Sequence, residues 1–156
     1  MEVSVRSARL TDVDAAVRLI SQTAPDPQSE RQDADRLRHL LFIPAATVVV
    51  ATAERRVVGV GILSIRPSVR SGPFVGVIDD LGLLAEDQHP LESDDAAFRG
   101  EAASRMLAQL IASARNKGCS RVEVTDPLAS AEPALLEQAG FERRGALLSR
   151  ATGLAG

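Results

Sequence analysis

The chain has 156 residues, 45% of them apolar and 25% charged, enough for one domain with its own core and against disorder. With 18 basic and 21 acidic residues the net charge is −3, so no global positive field draws the chain to nucleic acid or to anionic lipid. The single cysteine, Cys119, and two distant histidines, His39 and His89, exclude an internal disulfide and a cysteine-held zinc, and no metal is expected.

The aromatic complement is four Phe with no Tyr and no Trp, which leaves an aliphatic core and no phenol for acid chemistry. Charges at Glu2, Arg6, Arg9, Asp12 and Asp14 interrupt any leader-like apolar segment,. The longest uncharged run, 40–53, contains Pro44 and is too short to span a bilayer,. A cytoplasmic domain without a membrane segment is the expectation, with 1–156 as a single domain.

In chain order, the alternating Val3-Ser4-Val5-Arg6 reads as a short strand,. Thr11 ahead of Asp12 and Asp14 marks a helix start, and Ala16, Leu19 and Ile20 carry its apolar stripe to about 22,. Ala24-Pro25-Asp26-Pro27 breaks that helix, and a second follows over roughly 32–41. Thr47-Val48-Val49-Val50-Ala51 is a buried strand, joined through Glu54-Arg55-Arg56 to a hairpin partner at 57–63,. A long strand occupies 74–84, and an acidic loop follows over 85–97 with Glu86, Asp87, Glu92, Asp94 and Asp95. Ala103, Met106, Leu107, Leu110, Ile111 and Ala114 recur at helical spacing, with Gly118 as the C-terminal cap,. Arg121-Val122-Glu123-Val124 is a strand, 132–139 a short helix closed by Gly140, and 141–151 a final strand. A helix between two such strands makes them parallel neighbours, so the class is α/β.

This order of elements resembles that of the GCN5-related N-acetyltransferase superfamily over nearly the whole chain. Three segments carry the resemblance. "VVVATAERRVVGVGIL" is similar to the family's second and third strands, and "IDDLGLL" to its fourth, with Leu81-Gly82-Leu83 for its L-x-V ending. "LLEQAGFERRG" is similar to the last helix and strand, whose usual form is Y-x-x-x-G-F. The resemblance implies an acyl-CoA N-acyltransferase-like fold, a twisted mixed sheet of about six to seven strands with helices on both faces. It further implies transfer of an acetyl group from acetyl-CoA to a primary amine of a small molecule or protein. The alternative is a catalytically impaired binding or regulatory module of the same fold.

On that resemblance, the strand backbone at Leu81, Leu83 and Leu84 pairs with the pantetheine arm like an added strand. The family's Q/R-x-x-G-x-G/A turn falls on Arg99, Gly100, Glu101, Ala102, Ala103 and Ser104, at a helix N-terminus suited to pyrophosphate,. The match is degenerate: Ala102 and Ser104 replace the two small positions, and Glu101 adds a carboxylate beside an anion site. The family's acid, a Tyr, falls on Leu136, so that donor is missing. Asp79 is the candidate base, on the face of Leu81 and Leu83 by the strand's period of two, whereas Asp80 points to the other face,. The acidic loop is either a gate for a cationic amine or a solvated insertion.

Outside these segments, Cys119 reads as a small buried hydrophobe. His39 is expected to pack or cap, His89 to be exposed, and Arg143-Arg144 to be a solvated strand end. Exposed strand edges would admit a homodimer.

Overall fold

The computed structural model describes residues 2–21, 26–70, 72–84, 95–126, 128–145 and 148–154. Strand β1 (Ser4–Ser7) leads through a 3-10 turn (Leu10–Asp12) into α1 (Val13–Ile20) and α2 (Pro27–Leu40). Strands β2 (Ala46–Ala53), β3 (Arg56–Pro67) and β4 (Phe74–Leu83) form a meander. Helix α3 (Asp95–Asn116) crosses over to β5 (Cys119–Val124), and the short α4 (Leu128–Ala131) and α5 (Pro133–Gln138) follow.

Local chemistry explains the helix starts. The N-terminal turn is capped by Asp12 and not by Thr11. The Asp12 carboxylate accepts the Arg9 N–H at 2.8 Å and both Arg6 guanidinium nitrogens at 2.7 and 3.0 Å. The segment read as a helix breaker is also a start signal: the Asp26 side chain accepts the Gln28 N–H, and Pro27 takes the first helical position,. Helix α2 therefore begins about five residues before the start expected at 32.

The sheet runs β1-β2-β3-β4-β5, antiparallel except for the parallel β4–β5 pair. Helix α3 packs against one face and α1 against the other. Residues with almost no exposure, among them Leu63, Ile78, Met106, Leu107 and Leu110, fill the space under α3 and around the central strands. No Tyr or Trp is needed for this core, because close-packed aliphatic side chains supply the buried area.

Two expectations are corrected. The sheet has five strands among the described residues, not six or seven: of the expected last strand, 141–151, residues 141–145 and 148–151 are irregular. Gly145 has φ +89°, and Glu142, Arg143 and Arg144 are exposed. A run that polar offers β5 few apolar contacts with which to hold a sixth strand. His39 is exposed in the last turn of α2 and neither packs nor caps with its ring. The acidic loop lies outside the described residues over 85–94, including His89, and 95–97 begin α3.

Candidate active site

Strand β4 changes its relation to the sheet at one point. Opposite β3, Leu63 pairs with Ile78 and Ile62 with Asp80, so Asp79 is an extra residue, a β-bulge,. The flanking glycines show what the bulge does. A Cβ on Gly76 would meet Ala114 of α3 at 3.2 Å, whereas one on Gly82 would meet the Leu19 backbone of α1 at 3.0 Å. Six residues apart, these positions would share a face in a regular strand, yet they face opposite helices. The alternation that placed Asp79 with Leu81 and Leu83 is therefore reset at Asp79 itself. Leu81 faces α3, and Asp80 falls in step with Gly82 toward α1,.

The same point ends the β4–β5 ladder. Its last pair is Ile78 with Val124, and the Thr125 N–H closes it on the Ile78 carbonyl at 3.3 Å. Beyond, β4 stays with β3 as far as Leu84, whose N–H bonds the Val58 carbonyl at 2.9 Å. Because amide groups alternate along a strand, those of Leu83 and Leu81 turn away from β3, toward the side that β5 has left. Strand β5 ends at this pair while β4 runs on, so a V opens between β4 and the segment that follows β5, with its apex at Ile78 and Val124.

Two carboxylates stand at that apex. Asp79 is exposed and accepts a hydrogen bond from the Thr125 hydroxyl across the V. Asp80 is half-buried, and its carboxyl is held above the usual carboxylate range, first by burial, then by the charges of Asp79 and of Asp33 on α2,. A carboxyl shifted this way holds a proton closer to neutral pH, the condition for proton exchange with an amine.

The wide end of the V is bridged. One Arg99 guanidinium nitrogen donates to the Leu84 carbonyl at 2.6 Å and the other reaches the Glu132 carboxylate at 3.1 Å. Leu84, expected to offer its backbone to a ligand, thus has both N–H and C=O engaged. The turn expected over Arg99, Gly100, Glu101, Ala102, Ala103 and Ser104 is helix: all six lie inside α3, beyond its first turn. The N–H groups a helix leaves unbonded are those of its first turn, so the backbone of these six belongs to the helical ladder. Ala102 and Ala103 are buried in the core, Glu101 is paired with Arg105 at 3.1 Å, and Ser104 is exposed. Alanine, the strongest helix former, is the physical reason that the helix runs through a segment glycine would leave open.

Leu136, at the position of the missing Tyr, is buried in α5. Sequence reasoning did not single out Thr125, Glu132 or Asp33. The first has a readable signal, a polar residue directly after the strand and before Asp126-Pro127, and the other two have none. Cys119 lies at the opposite end of β5, half-buried, with burial pushing its thiol pKa up. Among the described residues no group of three or more His, Cys, Asp or Glu is placed to hold a metal ion, and no helix is long and apolar enough to cross a membrane.

A mixed sheet whose one parallel pair, β4 and β5, is joined by a crossover helix, with β4 running on past the end of β5, is the arrangement of an N-acyltransferase-type domain. Comparison with known proteins gives the same class. The chain matches the Acetyltransferase (GNAT) family over residues 13–141. It is similar to a transcriptional regulator from Bacillus halodurans C-125, with TM-score 0.76, 17% identity and 96% and 99% of the two chains covered. It is also similar to an aminoglycoside antibiotic 6'-N-acetyltransferase from Acinetobacter baumannii, with TM-score 0.75, 15% identity and 99% and 100% covered. A third likeness is to an aminoglycoside N-acetyltransferase in complex with CoA, with TM-score 0.70, 16% identity and 98% and 96% covered. No curated protein sequence matches significantly. The chain belongs to the GNAT acetyltransferase family.

Proposed function

We propose that the protein transfers an acetyl group from acetyl-CoA to a primary amine. The observation that carries this reading is the stretch of β4 that runs on past the end of β5, with Asp79 and Asp80 where it begins, in a chain of the acetyltransferase family. Among its structural relatives are an aminoglycoside acetyltransferase and another crystallised with CoA.

Acetyl-CoA as substrate supplies the thioester, whose C–S bond breaks as the amine nitrogen forms its bond to the carbonyl carbon. The chain's part is to hold and orient. The outward amide groups of Leu81 fit an extended amide-bearing arm laid along β4. The Arg99 guanidinium, at the wide end, fits a diphosphate,. Positioning an amine at the apex supplies much of the rate by proximity. Asp79, exposed in the V, takes the ammonium proton before attack, and the Thr125 hydroxyl keeps its carboxylate aimed across the cleft. A second assignment of the base is favoured by one observation: burial holds Asp80 nearer neutral pH.

Acetylation of an amine panel with the purified chain tests this. Asp79→Asn is expected to lower kcat by about 10²-fold or more, with the KM for acetyl-CoA unchanged. Loss in Asp80→Asn alone would move the role to Asp80, and full activity in both would remove the carboxylates as base.

The helix through 99–104 and the buried Leu136 favour a second reading, a module that binds CoA without turnover. CoA binding with no acetylation of any amine in the panel would establish it.

A further inference from the structure

Arg99 sits one turn into α3, and its two partners come from elsewhere in the chain: the Leu84 carbonyl just after β4 and Glu132 at the start of α5. Its side chain is 20% exposed and that of Glu132 31%. Arg99 thus joins three elements at the wide end of the V: α3, the end of β4 and the start of α5. Arg99 is also the side chain that the proposed function gives to the diphosphate. A guanidinium presents a planar fork that suits a carboxylate or a phosphate, so both compete for the same nitrogen.

We infer that Glu132 is an internal stand-in for the ligand's diphosphate: it holds Arg99 across the cleft until an anion takes its place. This rests on the proposed cofactor site. The exchange is not neutral for affinity, because the pair must be broken on binding and Glu132 then faces water alone. The helical course of 99–104 makes the arrangement consequential. With the backbone there committed to the helix, the anion depends on the Arg99 side chain, which the protein has already engaged. The Glu101 carboxylate does not take part, since it is held by Arg105 on the helix surface.

Calorimetric titration of the wild-type chain, Glu132→Gln and Arg99→Gln with CoA, and separately with pantetheine, tests the exchange. Glu132→Gln is expected to tighten CoA about two- to fivefold, the factor set by a partly exposed ion pair. Pantetheine, which has no phosphate, is expected to gain less, and Arg99→Gln to weaken CoA. Unchanged or weaker CoA binding in Glu132→Gln, with the wild type binding, would overturn the exchange and leave the cofactor site standing. An equal gain for pantetheine would also overturn it, because the gain would then come from opening the cleft and not from the anion. Failure of all three folded proteins to bind CoA would remove the cofactor site and the exchange with it. Glu132→Ala serves in the same titrations if Glu132→Gln does not fold.

Discussion

Two aspartates respond to the fold in opposite directions. Asp12, hydrogen-bonded to Arg6 and to the Arg9 N–H, has its pKa lowered, so it adds stability above the ordinary carboxylate range that is lost as pH falls through its folded value,. Asp80, buried beside Asp79 and Asp33, has its pKa raised, so the native state binds its proton more tightly than the unfolded chain. Stability from Asp80 therefore declines as pH rises from the ordinary carboxylate value through the raised one. Asp80→Asn is expected to raise the Tm at pH 7, and the advantage over wild type to shrink as pH falls toward 4. Thermal melts of both proteins across that range check it, and a pH-independent difference would contradict the assignment to ionisation. The adjacency of the two acids on a strand was legible in the sequence. Their faces were not, because the bulge at Asp79 is fixed by register against Ile62 and Leu63, more than a dozen residues away.

At the level of elements, α3 decides how an anion can be met. The apolar spacing from Ala103 to Ala114 was enough to place its body, but its start at Asp95 was hidden by acidic residues that resemble a loop and also suit a helix's first turn,. Gly100 lies inside this helix, and a Cβ there would meet nothing within 4 Å. Gly100→Ala is expected to stabilise the protein by about 0.5–1 kcal/mol in chemical denaturation. If the proposed site holds, with the Arg99 side chain and not the backbone meeting the phosphate, CoA affinity is expected to stay unchanged. Weaker CoA binding by this variant would show that the backbone at Gly100 is approached after all. The strand expected over 141–151 is absent among the described residues, where Arg143, Arg144 and a left-handed Gly145 supply no apolar face,.

For the whole molecule, element order was the informative signal. Strand, two helices, meander, crossover helix and strand force β4 and β5 parallel and put the α3 start beside their C-terminal ends,. The identity of the family follows from that order together with the match over 13–141. The end of β5 at Val124 was legible in the sequence, but the apex was not, because it depends on the register that sets Ile78 against Val124 and Asp79 beside the Thr125 hydroxyl. The acceptor's chemistry is written in neither the helices nor the hairpin turns, whose side chains carry no motif. The central claim is that acetyl-CoA lies along β4 in the V. Amide hydrogen–deuterium exchange with and without saturating acetyl-CoA tests this directly. Slower exchange at Leu81 and around Thr125, with β1 and β2 unchanged, is the expected result. Binding that leaves those amides untouched, or no binding by the folded protein, would contradict it.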